Sequence, residues 1–203
     1  MTLYAQREKF KQVSIKIGLL FSKIPLTANQ WTVLSLVPVI FAVWFLMRQD
    51  FLAAGVLFLI SAFLDMVDGA VARVTNTASK YGAYLDTIMD RYIEGLIIFG
   101  LVFAVLPNWY LPVTAWIFAY FFGSFLTTYA KSAAKEKEII REGKELKGGL
   151  LERAERLFIL FIGIVLAAFN PLWLVYVLAL LAVLTNFSAL QRIFIARRIA
   201  KQK

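Results

Sequence analysis

The chain contains neither cysteine nor histidine. Without cysteine there is no disulfide, no thiolate ligand and no thiol nucleophile, and the redox compartment leaves no mark on the sequence. Without histidine the usual general base near neutral pH and the usual transition-metal ligand are both absent. Any chemistry must be done by Asp, Glu, Lys, Arg, Ser, Thr or Tyr. Charge is also scarce: 17% of the 203 residues are charged and 61% are hydrophobic. Acids are the rarer sign, 13 against 22 Lys and Arg, for a net charge of +9. No internal repeat or low-complexity segment is evident. What remains is a set of long apolar runs, and runs of about 18 or more residues indicate helices that span a bilayer.

Six candidate spans can be drawn, at 29–47, 51–72, 83–106, 112–130, 153–169 and 171–191. The connectors at 48–50, 107–111 and 169–171 are too short for a separate domain, so residues 1–203 read as one all-α integral membrane domain. Within it, 27–191 form a six-helix bundle and 192–203 a basic cytoplasmic tail. Within residues 1–26, the first 25 are not expected to be a cleavable signal. Their apolar residues Phe10, Val13, Ile17, Leu20, Phe21 and Ile24 recur at spacings of three and four, and Lys9, Lys16 and Lys23 fall on other faces. This pattern predicts an amphipathic juxtamembrane helix lying in the interface; a loose cytoplasmic tail is the alternative.

Basic residues gather in four alternate segments: the N-terminus, the turn holding Arg73 and Lys80, the connector from Lys131 to Arg156, and the C-terminal tail. Arg91 lies inside a span, and Arg48 is the only basic residue on the opposite side. The positive-inside rule therefore puts both termini in the cytoplasm, with the protein in the cytoplasmic membrane. Attraction to anionic membrane lipids accounts for the rest of the net charge. Nucleic acid is excluded as a partner, since the charge flanks spans and no soluble binding fold exists.

Against this background the stretch from Asp65 to Asp90 stands out. Asp65 and Asp68 are three apart, and Asp86 and Asp90 four apart, so each pair shares a helix face. Between them Thr75 to Tyr81 is short and polar, which predicts an antiparallel helical hairpin. Reflecting one arm on the other about 77–78 sets Asp65 level with Asp90 and Asp68 level with Asp86. At about 1.5 Å per residue, the outermost pair lies about 10–15 Å from the turn, in the cytoplasmic half of the bilayer. Gly69, Ala72, Gly82 and Ala83 keep the seam narrow.

Four carboxylates at one depth in a membrane repel one another and need cations. Oxygen ligands without His or Cys suit Mg²⁺ or Mn²⁺ rather than zinc. Arg73, at the cytoplasmic end of the same helix, can grip a phosphate bidentately. Hard cations beside an arginine suggest phosphoryl transfer, in which two ions can clamp the attacking and leaving oxygens. Two other readings stay open. The acids could make structural ion pairs with Arg73 and Arg91, although two arginines cannot neutralise four acids. They could also line the path of a cation-coupled membrane transporter.

The pattern Asp65-x2-Asp68-Gly69-x2-Ala72-Arg73-x8-Gly82-x3-Asp86-x3-Asp90 resembles the signature of the CDP-alcohol phosphotransferase family at all eight specified positions. The six-span layout is similar as well. This resemblance implies an enzyme that displaces CMP from a CDP-linked lipid with a second alcohol, in phospholipid synthesis, and that works as a homodimer. It implies that Asp65, Asp68 and Asp86 are metal ligands, that Asp90 completes the site and that Asp90 is the general base. Asp68, Gly69, Ala72, Arg73 and Gly82 would admit and hold the CDP group. The Thr27-x-Asn29-x2-Thr32 stretch is similar to the family's usual opening and adds Asn29 to the nucleotide contacts; helix capping by Thr27 is the alternative reading.

The acceptor is sought among the remaining cations. Lys131, Lys135, Arg153, Arg156 and Arg192 all fall at expected cytoplasmic helix ends. Converging, they would bind the phosphate of a phosphorylated polyol; otherwise they are headgroup anchors. The strings Leu151 to Arg156 and Tyr129 to Lys131 are similar to members acting on inositol 1-phosphate, including phosphatidylinositol-phosphate and archaetidylinositol-phosphate synthases. Glycerol 3-phosphate, as in phosphatidylglycerophosphate synthases, is the alternative. Residues 136–147 mix both signs and are expected as a solvated helical extension ending at Gly148 and Gly149. Arg91 is expected to pair with Glu94, and Trp109 and Tyr110 to anchor the outer boundary.

Overall fold

The computed structural model describes residues 3–140 and 149–201, with side chains from residue 12 onward. Phe10, the side chains of Arg7, Lys9 and Lys11, and residues 141–148 of the expected extension lie outside that description. The chain divides into two compact units, residues 1–100 and 101–203. Among the described residues both are helical, and the only β feature is an isolated bridge between Trp109 and Leu111.

The first unit holds α1 (Leu3–Phe21), α2 (Ala28–Leu34), α3 (Leu36–Met47), α4 (Phe51–Val74) and nearly all of α5 (Lys80–Val102). The expected span at 29–47 is two helices, broken at Ser35. Pro38 explains the break: it has no N–H to give the Leu34 carbonyl, and its ring presses on that carbonyl. At the break the Ser35 hydroxyl donates to the Thr32 carbonyl at 2.6 Å. Asp50 caps α4, accepting from the Ala53 amide at 3.0 Å. α1, α2 and α3 all pack on α4. Trp31, Val67 and Val71 form a buried cluster covered by Ile17, Phe21, Leu26 and Leu64. The amphipathic helix therefore uses part of its apolar face, Ile17 and Phe21, for docking on α4, while Val13, Leu20 and Ile24 stay exposed.

The second unit holds α6 (Val113–Glu136), α7 (Arg153–Ala167) and α8 (Pro171–Ala200), with α8 packed against both others. Asn170 caps α8 ahead of Pro171, whose fixed φ suits a first helical position. Small residues allow close approach: a Cβ on Gly123 would meet Thr185 Oγ1 at 2.4 Å, and one on Gly163 would meet Val177 Cγ1 at 2.8 Å. Asn186 donates across to the Ala119 carbonyl at 2.8 Å. Two expectations are corrected here. α6 ends at Glu136, Glu138 adopts φ 53°, and Ile140 is buried against Ala134, so 137–140 are a turn that buries apolar surface, not a solvated helix. Residues 192–200 are the last turns of α8 rather than a tail.

Four helical segments are long and apolar enough to cross a membrane: Ala28–Met47 (α2 with α3), Phe51–Val74, Val113–Glu136 and Pro171–Ala200. α5 is long enough, but Asp86, Asp90, Arg91 and Glu94 make it too polar by composition, and α7 has 15 residues. Large apolar side chains line the outside of these helices, including Phe41 and Trp44 on α3, Leu59 and Phe63 on α4, Phe118 and Phe122 on α6, and Phe187 on α8. Surface of that kind requires lipid. The protein is an all-α integral membrane protein.

Candidate active site

The turn between α4 and α5 is set by local chemistry. Asn76 takes φ 54°, a left-handed conformation that Asn tolerates, and the Thr77 amide donates back to the Ala72 carbonyl at 3.0 Å. This is the αL helix stop with its six-to-one hydrogen bond. Three residues later Ser79 starts the next helix, its hydroxyl accepting from the Gly82 amide at 2.9 Å. The chain reverses within five residues, and the acidic faces of both arms end up beside the turn.

Asp65 and Asp68 on α4 and Asp86 on α5 each offer an oxygen, and these oxygens lie within 4.8 Å of one another. Asp68 is buried, while Asp65 and Asp86 are half-buried. The Asp68 Oδ2 atom is buried with no hydrogen-bond partner among the described residues. A buried carboxylate oxygen in that state is costly unless a cation meets it. The donor set, three carboxylates and no nitrogen or sulfur, fits a hard divalent ion. Asp90, expected as a fourth member, is half-buried one turn further along α5 and is not within the group of three.

Beside Asp68 and Asp86 lies a cleft of about 210 Å³. Its walls are Gly69, Ala72 and Arg73 from α4, Gly82 and Ala83 from α5, Ala28, Asn29 and Thr32 from α2, and Thr77, Ala78 and Ser79 from the turn. All five residues expected to admit or hold a nucleotide besides Asp68 (Asn29, Gly69, Ala72, Arg73 and Gly82) therefore face one space. The glycines are there for room. A Cβ on Gly82 would sit 3.2 Å from both Asn29 Oδ1 and Ser79 Oγ, and one on Gly69 would sit 3.3 Å from the Arg73 guanidinium. Thr27 caps α2 in a reciprocal box with Gln30, so the capping role holds, while Asn29 two residues on lines the cleft. Thr77 and Ser79 in the wall were not singled out in the sequence; their polar turn was the available signal.

Two arginines flank this site on α4 and α5. Arg91 pairs with Glu94 at 2.6 Å along α5, as expected. Arg73 is exposed and donates through Nη2 to Ser14 Oγ on α1 at 2.7 Å; no ion pair joins it to an aspartate among the described residues. Ser14 too carried no sequence signal.

In the second unit Thr127 on α6 gathers two of the five expected acceptor cations. Its hydroxyl accepts from Arg156 Nη1 at 3.0 Å, and its carbonyl accepts from Arg192 Nη1 at 2.7 Å. Arg192 Nη2 also reaches Glu152 Oε1 at 3.3 Å. Arg156 is 1% and Arg192 3% exposed, so both are built into the unit. Lys131, one helical turn beyond Thr127, and Arg153 are half-buried, whereas Lys135 is exposed at the end of α6.

The model of the CDP-alcohol phosphatidyltransferase family matches residues 25–188. The archaetidylinositol phosphate synthase of Pyrococcus horikoshii is 33% identical over 193 residues, which cover 95% of this chain and 95% of that protein. A crystal structure of the Mycobacterium tuberculosis phosphatidylinositol phosphate synthase with CDP-DAG bound aligns with a TM-score of 0.79 at 25% identity, covering 91% of this chain and 94% of that one. The same mycobacterial enzyme in complex with manganese and citrate has a TM-score of 0.78 at 24% identity, over 91% of this chain and 88% of its own, a likeness of fold. A signature complete at every position, a cleft that collects its residues and a family match over most of the length agree: this chain belongs to the CDP-alcohol phosphatidyltransferase family and is a CDP-alcohol phosphotransferase.

Proposed function

We propose that this enzyme transfers a phosphatidyl-type group from a CDP-linked lipid to a hydroxyl of inositol 1-phosphate, releasing CMP, in phospholipid synthesis. The observation that carries the reading is the single cleft shared by Asp68, Asp86, Arg73 and the small residues Gly69, Ala72 and Gly82. The Pyrococcus and Mycobacterium relatives are inositol-phosphate lipid synthases, which favours an inositol phosphate acceptor over glycerol 3-phosphate.

In this reaction the acceptor oxygen bonds to the β-phosphorus, and the bond from that phosphorus to the bridging oxygen breaks, the electrons leaving with CMP. Asp90 takes the acceptor's proton, a role that suits its place one turn along α5 from Asp86. Arg73 and Asn29 hold the diphosphate and nucleotide, with Gly69, Ala72 and Gly82 leaving room for them. Asp65, Asp68 and Asp86, with Asp90 beside them, would hold two divalent ions, Mg²⁺ or Mn²⁺. When bound, such ions neutralise the diphosphate and the charge developing on the leaving group. In the second unit, Lys131, Lys135, Arg153 and Arg192 serve the acceptor's phosphate, with Arg156 adding positive charge from behind.

The membrane arrangement completes the proposal. α5 and α7 join the four apolar segments to make six spans, with both termini and the cleft on the cytoplasmic side and two copies forming a homodimer. A lipid tail then stays in the bilayer while the polar acceptor arrives from water. The test is CMP release from a CDP-lipid with inositol 1-phosphate, glycerol 3-phosphate, serine and free inositol offered separately. Inositol 1-phosphate is expected to give the fastest release, and Asp90→Asn is expected to abolish it with the fold intact. Full activity in Asp90→Asn would remove the base from the scheme. Cation-driven solute flux in vesicles without CMP release would return the transporter reading.

A further inference from the structure

The amphipathic helix α1 reaches the nucleotide cleft through one side chain. Arg73 Nη2 donates to Ser14 Oγ at 2.7 Å, and this is the one hydrogen bond of Arg73 among the described residues. On the other side of the guanidinium is Gly69, where a Cβ would lie 3.3 Å from Nη1. Arg73 lines the cleft with Asp68 and Asp86. Its head is thus held between a glycine of its own helix and a hydroxyl of another.

Ser14 is placed there by the packing of α1. Ser14, Ile17, Gly18 and Phe21 share one helix face by their spacing. Gly18 is the point of closest approach: a Cβ there would meet the Ala70 carbonyl oxygen at 2.5 Å and Val74 Cγ2 at 2.6 Å. Ile17 and Phe21 pack on the Trp31, Val67 and Val71 cluster, and the Phe21 ring meets Phe63 at 5.7 Å. These contacts fix the register, with Ser14 opposite the last turn of α4. The opposite side of α1 exposes Val13, Leu19 and Leu20.

We propose that Ser14 is a positioning residue that presets the Arg73 guanidinium for the diphosphate of the CDP-lipid, making α1 part of the nucleotide site. This rests on the role of Arg73 in the proposed transfer. A long flexible side chain has to be ordered when it grips a ligand, and that ordering is subtracted from the affinity unless it exists beforehand. An oxygen at Nη2 leaves the remaining donors of the guanidinium free to address phosphate.

The experiment uses the full-length protein in detergent, with CDP binding by calorimetry and CMP release from a CDP-lipid. A charge-assisted hydrogen bond near the surface leads us to expect Ser14→Ala to weaken CDP about fivefold. KM for the CDP-lipid should rise by a similar factor while KM for the acceptor stays unchanged, and Ser14→Thr should restore both. A purely structural role would lower kcat through loss of folded enzyme and leave the CDP affinity of the surviving molecules unchanged. Ser14→Asp, which ties Arg73 into an ion pair, should weaken CDP at least as much as Ser14→Ala and serves if the alanine variant does not fold. An unchanged CDP affinity in either variant overturns the proposal, as does a fivefold loss from Ser14→Ala that persists in an Arg73→Ala background. A wild-type protein that binds CDP but releases no CMP would sink the transferase reading and leave the calorimetric test of Ser14 standing.

Discussion

Replacing Gly82 with alanine should separate stability from function in one step. Gly82 is the third residue of α5, and its amide donates to the capping hydroxyl of Ser79 at 2.9 Å. No left-handed conformation holds it there, so alanine is allowed by the backbone and should stabilise the helix by about 0.5–1 kcal/mol. The new methyl, however, points into the cleft of about 210 Å³ and lies 3.2 Å from Asn29 Oδ1 and from Ser79 Oγ. Both neighbours are short polar side chains, and each must give way by a few tenths of an ångström. A displaced Asn29 loses a hydrogen bond to the nucleotide, worth about 0.5–1.5 kcal/mol. The lost room adds an overpacking cost of about 1 kcal/mol or more when the ligand binds. Together these give about a tenfold or greater rise in KM for the CDP-lipid, at about 1.4 kcal/mol per decade. The thermal midpoint of the apo protein should stay level or rise. Steady-state CMP release and thermal unfolding of the detergent-solubilised variant provide the two readouts. An unchanged KM would mean that the nucleotide does not enter between Gly82 and Asn29, and the cleft would lose its assignment.

Other substitutions test the remaining parts of the site and its support. Asp68→Asn alters a proposed metal ligand whose Oδ2 is buried with no hydrogen-bond partner among the described residues; Mn²⁺ affinity by calorimetry or spin resonance should fall by about 100-fold or more, since altering an outer-shell partner alone costs about 10–100-fold. Chelation should stop CMP release and added Mg²⁺ or Mn²⁺ restore it; activity that survives exhaustive chelation would refute a metal-held diphosphate. Gly123→Ala would bring a methyl to 2.4 Å from Thr185 Oγ1 and 2.8 Å from the Asn186 amide nitrogen. Because backbone has to move there, stability should fall by about 1–3 kcal/mol, read as a lowered midpoint with the KM for CDP-lipid unchanged in the folded fraction.

Much of the first unit was legible because its signals are local. The spacing of Asp65, Asp68 and Asp86, the polar turn and the small residues are sequence properties, and the structure gathers those three carboxylates within 4.8 Å. The position of Asp90 was less so. Reflecting two straight arms about 77–78 sets all four acids level; the carboxylates within 4.8 Å of one another are Asp65, Asp68 and Asp86, with Asp90 one turn beyond Asp86 on α5. The break at Ser35 was readable in principle, since Pro38 forbids the Leu34 hydrogen bond; hydropathy counting passes over it because the strongly apolar α3 carries the average over Ala28–Met47. Ser14 was not readable at all. A serine on an amphipathic helix carries no mark of what it will meet, and the separation of 59 positions between it and Arg73 is bridged by the packing of Gly18 on α4.

The basic residues of the second unit illustrate why counting charges does not locate a site. Five cations at helix ends look equivalent in sequence, yet the structure sorts them by what already satisfies them. Arg156 and Arg192 are buried and share Thr127, one on its hydroxyl and one on its carbonyl, and Arg192 also meets Glu152. Burying a guanidinium is costly unless its donors are engaged, and these contacts engage Nη1 of both side chains and bring Arg192 Nη2 to Glu152. An anion reaching Arg192 would compete with Glu152, whose side chain is 58% exposed and can swing away without leaving a buried charge behind. The Thr127 carbonyl, being backbone of α6, would keep its hold on Nη1. Of these two contacts, the one to the Thr127 carbonyl is fixed by the α6 backbone and the one to Glu152 is the exposed one, which in the proposed function would yield to the acceptor's phosphate. Arg156 is 1% exposed and donates to the Thr127 hydroxyl, so in the proposed function it contributes charge rather than a direct contact.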